Sequence, residues 1–278
     1  MSRRFHQLDV FSAEPLRGNP LAVVHAAQGL SDDQMAAMAR WTNLSETTFL
    51  LPPDHPAADY RVRIWTPAGE LPFAGHPTLG SCWAWLAAGG VPRAADRVVQ
   101  QCGVGLVTVR RDSARPGRLA FAAPPQRRSG PVEADTLAQI TAALQLGPQD
   151  VVQHQWVDNG PGWCAVLLGS GAMVRALRPD MAVLGALKLG VIGPQAPGDD
   201  TAFEVRAFFA GIGEDPVTGS LNAGLAQWLI AAGLAPEAYV AAQGHALQRA
   251  GRVHVQREGD VIWVGGDVTP VIEGMVSL

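Results

Sequence analysis

The chain repeats itself. Gly75-His-Pro-Thr-Leu-Gly-Ser81 and Glu214-Asp-Pro-Val-Thr-Gly-Ser220 share the pattern Pro-x-x-Gly-Ser, and each opens an uncharged helical run. Pro77 and Pro216 stand 139 residues apart, half of a 278-residue chain. Chance pairing of the Pro, Gly and Ser present gives about 0.08 such patterns, so two copies point to a duplication. The neighbourhoods agree: Val62-Arg-Ile-Trp65 precedes the first copy and Val205-Arg-Ala-Phe208 the second. Two lobes are expected, residues 1–122 with a central helix near 77–88 and residues 123–278 with one near 216–232. The Pro-rich stretch Ala122-Ala-Pro-Pro-Gln-Arg-Arg-Ser-Gly-Pro131 marks the boundary. The tail after Pro270 is free to return to the first lobe.

Both repeat helices are apolar on nearly every side (Leu79, Trp83, Trp85, Leu86; Leu221, Leu225, Trp228, Leu229, Ile230) and end at Gly89 and Gly233. A helix without a polar face must be enclosed. Short runs rich in Val, Ile, Phe or Trp supply the enclosing strands: residues 6–11, 48–51, 60–65, 106–110 and 119–121, then 155–157, 164–168, 203–209, 252–256 and 261–264. Further helices start at the Ser31–Gln34 capping box, at Asp135 and at Pro179, the last running to about Gly190. The fold class expected is α+β, with a strongly curved sheet wrapped around one central helix, built twice.

Charge narrows the function. Asp and Glu (25) outnumber Lys and Arg (21), which argues against a nucleic-acid or membrane-surface partner. The opening residues lack the apolar run of a signal peptide, so a cytoplasmic protein is expected. Cys82, Cys102 and Cys164 have no CxxC spacing and read as buried thiols. His6, His25, His55, His154, His245 and His254 show no metal-ligand spacing, and no metal is expected. Gly211-Ile-Gly-Glu-Asp215 has no P-loop lysine, and no Gly-x-Ser-x-Gly elbow occurs.

The chemistry concentrates at the repeat. His76-Pro77 and Asp215-Pro216 each place a polar side chain before a proline, the arrangement of an N-cap followed by the first helical residue. Each helix start offers free N–H groups and positive dipole charge. Gly75, Gly80 and Gly219 remove bulk there, and Ser81 and Ser220 add hydroxyls. Related by a pseudo-two-fold axis, the two helix starts would converge on one cleft suited to a carboxylate. Glu46 is the lone acid in Asn43-Leu-Ser-Glu-Thr-Thr-Phe49, entering an apolar strand, where partial desolvation would suit a general acid/base. A solvated loop charge is the plainer reading of the same residue. Asn19, in Gly18-Asn-Pro20, either faces the cleft or closes a turn.

Leu8-Asp-Val-Phe11 with Gly18-Asn-Pro-Leu-Ala-Val-Val24, Leu44-Ser-Glu-Thr-Thr-Phe49, Pro72-Phe-Ala-Gly-His-Pro-Thr-Leu-Gly80 and Gly213-Glu-Asp-Pro-Val-Thr-Gly-Ser220 together resemble the signature segments of the PhzF-like family of phenazine-biosynthesis isomerases. The resemblance implies a diaminopimelate epimerase-like fold, two pseudo-symmetric lobes each with a curved, mostly antiparallel sheet around a central helix. It also implies a cofactor-independent proton shift on a small carboxylate, for example a dihydro-hydroxyanthranilate. Glu46 would be the general acid/base, His76 and Asp215 would hold and polarise the substrate, and Ser45, Gly75, Gly219 and Ser220 would bind it. A homodimer is the family expectation. Related racemases use one cysteine from each lobe, and this chain has Gly75 and Asp215 in those regions instead. A non-catalytic binder of acidic metabolites, or a racemase with other bases, are the rival readings.

Overall fold

The computed structural model describes residues 1–211 and 213–278; Ile212, inside the Gly211–Asp215 stretch considered above for nucleotide binding, lies outside the described residues. The chain divides into two compact units, Met1–Ala122 with Gly265–Leu278, and Ala123–Val264. The chain therefore returns to the first unit from Gly265, earlier than the tail after Pro270 that was left free to do so above.

Unit 1 contains β1 (Ser2–Val10), β2 (Asn19–Val24), α1 (Asp32–Thr42), β3 (Thr47–Leu51), β4 (Tyr60–Thr66), β5 (Gly69–Leu71), α2 (Gly75–Ala87), β6 (Arg97–Cys102), β7 (Gly105–Arg111) and β8 (Arg118–Ala122). It also holds most of the last strand, β16 (Val261–Ser277). The order β1-β2-β3-β4-β6-β7-β8-β16 closes on itself because β16 also pairs antiparallel with β1, His6 opposite Glu273. Closure removes the exposed strand edges that invite aggregation. Helix α2 packs against β1 to β4 and β6 to β8, which is how a helix without a polar face hides its surface. Gly80 makes this fit: a Cβ there would lie 2.5 Å from Leu21 Cδ2 on β2.

Unit 2 contains α3 (Ala134–Leu144), β9 (Val151–Trp156), β10 (Trp163–Leu168), α4 (Gly171–Ala176), α5 (Met181–Leu184), β11 (Lys188–Pro194), β12 (Phe203–Phe209), β13 (Gly213–Asp215), α6 (Gly219–Ala231), β14 (Ala238–Gln243) and β15 (Gly251–Glu258). Its strands run β15-β14-β12-β11-β10-β9, with β13 beside β12. Helix α6 packs on β10 and β15. Ile140, Leu144, Val166, Leu189 and Phe208 form a buried cluster around α3 and the sheet. A Cβ on Gly224 of α6 would sit 2.2 Å from the Val157 carbonyl oxygen. Gly224→Ala is therefore expected to destabilise the protein by about 1–3 kcal/mol, the usual cost of overpacking against backbone that cannot retreat. Urea denaturation measures it, and an unchanged midpoint would contradict the packing described.

Three local readings change. The helix expected from Pro179 to about Gly190 shrinks to α5, because Gly185 adopts φ 60 and β11 begins at Lys188. Asn19 opens the buried strand β2. The central helices begin at Gly75 and Gly219, two residues before and three residues after the expected starts.

The duplication extends beyond the motif. Arg63 on β4 grips Glu70 on β5 through Nε and Nη2, both at 2.7 Å. Arg206 on β12 grips Glu214 on β13 the same way, at 2.9 and 2.7 Å. These forked pairs fasten β5 and β13, the short strands that lead into α2 and α6.

Candidate active site

In unit 1 three elements bring their polar residues together. Asn43 ends α1 in the left-handed region (φ 52), and the Thr42 and Thr47 hydroxyls, 2.8 Å apart, close the loop that carries Ser45 and Glu46 into β3. β3 pairs parallel with β2, so Glu46 and Asn19 occupy the same end of adjacent strands. The first turn of α2 brings His76 to that end. Its Nε2 lies 3.4 Å from Glu46 Oε2, with side chains 5% and 14% exposed. On the other side of the ring, Nδ1 lies 3.3 Å from Asn19 Nδ2, and Asn19 is fully buried.

His76 is not an N-cap. Ala74 takes that position with extended backbone (φ −151, ψ 145), Gly75 is the first helical residue, and Pro77 is the third. Proline is tolerated there because first-turn N–H groups have no intrahelical acceptor in any case. The His76 side chain is thereby released from capping and turned toward Glu46. Burial drives its pKa down to about 3, so the ring is neutral at physiological pH. Ser81, read as a ligand donor, instead hydrogen-bonds Thr48 Oγ1 at 2.9 Å inside the barrel.

In unit 2 Asp215 is likewise not an N-cap. It ends β13, and Thr218 is the residue that precedes α6. Asp215 is 6% exposed, and its Oδ2 accepts from Thr218 Oγ1 at 2.5 Å. The intervening turn is pinned by Gln243, at the end of β14. Gln243 Oε1 accepts from the Thr218 N–H (3.1 Å) and from Asn222 Nδ2 (2.9 Å). Its Nε2 donates to the Asp215 carbonyl (3.1 Å) and to Thr218 Oγ1 (3.0 Å). Gly219 opens α6, and Ser220 follows it. The Ser220 hydroxyl accepts from Trp163 Nε1 at 3.0 Å, and its carbonyl from Asn159 Nδ2 at 2.8 Å. A hydroxyl that accepts here keeps its own proton available for donation.

Unit 1 therefore assembles Glu46, His76, Gly75 and the neighbouring Ser45, and unit 2 assembles Asp215, Gly219 and Ser220. Sequence reasoning missed Thr218, Asn222, Gln243, Trp163 and Asn159, and left Asn19 undecided. One signal for Gln243 was present. Gln100 and Gln243 are separated by 143 residues, as are Val62 and Val205. Gln100 makes the corresponding clamp in unit 1, donating to Thr78 Oγ1 at 3.0 Å and accepting from Tyr60 at 2.7 Å.

The thiols are poorly suited to proton abstraction. Burial raises the pKa of all three, pushing Cys82 far up and Cys164 to about 12. Two further histidines, His6 and His25, contact each other at 2.8 Å. Burial lowers both, His25 to about 4 with help from the His6 and Arg4 charges. The unfolded chain takes up protons on these rings and on His76 near pH 6.5, whereas the folded chain resists, on His25 and His76 until far lower pH. Stability should thus be full above about pH 6.5 and fall toward pH 4. Urea titrations at several pH values check this, and His25→Gln should flatten the slope; a slope unaltered by that change would contradict it.

A family model described as phenazine biosynthesis-like protein matches residues 8–274. An uncharacterised isomerase of Pasteurella multocida is 32% identical over 277 residues, 96% of this chain and 91% of the relative. The trans-2,3-dihydro-3-hydroxyanthranilate isomerase of Pseudomonas aeruginosa is 37% identical over 181 residues, 64% of this chain and 61% of that one. A crystal structure of a phenazine biosynthesis protein of the PhzF family from Enterococcus faecalis has a TM-score of 0.82 at 24% identity, covering 100% of both chains, a likeness of fold. The chain therefore belongs to the phenazine biosynthesis-like family, has its α+β, diaminopimelate epimerase-like fold, and is an isomerase.

Proposed function

We propose that the protein moves a proton between carbons of a small carboxylate without a cofactor, with Glu46 as the group that takes the proton and returns it. The observation that carries this reading is the approach of Glu46 Oε2 to Nε2 of the neutral, buried His76, at 3.4 Å. An imidazolium would hold the glutamyl group as its anion. A neutral ring steers the carboxyl without fixing its charge, which suits a group that must alternate between acid and base.

The steps balance. A substrate C–H bond breaks, its electron pair enters an adjoining conjugated system, and the proton forms an O–H bond on Glu46. That O–H bond then breaks as another carbon of the same system accepts the proton, and nothing is oxidised or reduced. In the proposal His76 and Asp215 hold and polarise the substrate's polar groups. The hydroxyls of Ser45 and Ser220 and the backbone N–H groups of Gly75 and Gly219 supply further donors. A homodimer is part of the same reading, and sedimentation equilibrium decides it.

The Pseudomonas aeruginosa relative's name makes trans-2,3-dihydro-3-hydroxyanthranilate the first compound to offer. The experiment is incubation with it in heavy water, followed by NMR. An isomer carrying deuterium at a newly protonated carbon supports the proposal. Deuterium confined to an original stereocentre, with both configurations formed, identifies a racemase instead. Tight binding with no exchange and no conversion identifies a binder.

A further inference from the structure

Asn19 lies on the side of His76 away from Glu46. It is fully buried at the first position of β2, where it pairs with Val10 of β1. The preceding Gly18 permits this entry, since a Cβ at residue 18 would lie 2.4 Å from the Val10 carbonyl oxygen. The backbone is therefore fixed on both sides of Asn19, and its side chain reaches His76 with little freedom to turn elsewhere.

A neutral imidazole carries one proton, on Nδ1 or on Nε2, and the partner of one nitrogen decides what the other can do. Here both ends of the ring favour one form. At Nδ1 the neighbour is the Asn19 Nδ2 amide at 3.3 Å, a group with protons and no lone pair to offer. At Nε2 the neighbour is a carboxyl oxygen at 3.4 Å. The two atoms are outside hydrogen-bond alignment, but at this distance a bare Nε2 would set its negative end near the carboxylate charge whenever Glu46 is ionised.

We infer that Asn19 is a positioning residue that keeps the His76 proton on Nε2, so that a neutral N–H faces Glu46. The bearing of this on turnover rests on the proposed role of Glu46, but the proton's location does not. Burial opposes a second proton on the ring and so keeps it in one neutral form, and its two neighbours decide which. Asn19 never touches the reacting atoms in this account. It determines whether Glu46 meets a donor or an acceptor.

The test is 15N NMR of the ring nitrogens in protein labelled at histidine, near pH 7. The wild type should show a protonated Nε2 and a bare Nδ1. Asn19→Asp keeps size and shape but replaces the amide donor by an acceptor, so Nδ1 should gain a proton, a change that a purely structural role would not produce. With trans-2,3-dihydro-3-hydroxyanthranilate as probe, kcat of Asn19→Asp should fall at least tenfold with a smaller change in KM. A proton on Nδ1 in the wild type overturns the inference, and needs no variant to fold. So does an Asn19→Asp spectrum with the wild-type ring pattern. If Glu46→Gln retained turnover while the wild-type ring showed the Nε2 proton, the proposed mechanism would fall and the assignment of Asn19 would stand.

Discussion

Glu46→Gln is expected to reduce kcat by about 10²–10⁴-fold, the range over which positioned acid/base groups act. The amide has nearly the volume of the carboxyl and can still face His76, but it can neither accept a proton from carbon nor return one. Ligand affinity should change by less than about threefold, since the substitution removes a chemical step and leaves the binding donors in place. The loss should therefore appear in kcat and leave KM nearly unaltered. Ser45, one residue earlier in the same loop, provides the contrast. Ser45→Ala removes a donor proposed to bind, so its effect should appear in KM as well as kcat. Steady-state kinetics separates the two, and a Glu46→Gln protein with near-wild-type kcat would exclude Glu46 as the proton carrier.

The largest expected effect on stability is at Gln243. Its amide makes four hydrogen bonds, to the Asp215 carbonyl, the Thr218 N–H and hydroxyl, and Asn222, and the residue is 1% exposed. Gln243→Leu fills similar space but leaves these groups buried without the partner. At about 1–3 kcal/mol for each unsatisfied group, with partial relaxation, a loss of about 3–6 kcal/mol is expected. Gln100→Leu orphans the Thr78 and Tyr60 hydroxyls and removes a weaker hydrogen bond with the Cys102 thiol, so its cost should be smaller. Urea denaturation of the two variants gives the ratio. A Gln243→Leu cost below about 1 kcal/mol would show that the turn before α6 holds its shape without the clamp. Because the same turn carries Asp215, the variant should also lose activity beyond its loss of folded protein.

The duplication and the enclosed helices were legible because they rest on residues that packing allows little freedom to vary. Gly80 cannot carry a side chain beside Leu21, and α2 cannot carry a charge inside a closed barrel. The start of α2 is misread because proline fits any first-turn position, so His76-Pro77 does not reveal where the first turn begins, and the start of α6 because Pro216 lies in the turn before the helix, which opens at Gly219. β2 was hidden behind Pro20, which reads as a turn residue but sits near the start of a strand, and β11 behind two glycines in Lys188–Pro194. Glu46 and His76 are proposed from neighbouring residues and from resemblance. Their facing geometry is not legible there, since it depends on the packing of α2 against β3, which no local pattern encodes. The Gln243 network has the same character: single polar residues on separate strands gain meaning when the sheet brings them to one turn.

The most direct measurement of the central claim uses the small-molecule fraction of a cell extract, incubated in heavy water with the wild-type protein and in parallel with Glu46→Gln, and analysed by mass spectrometry. The account predicts at least one carboxylate that gains carbon-bound deuterium with the wild type and none with the variant. Equal labelling by both proteins, or no labelling by the wild type, would contradict it.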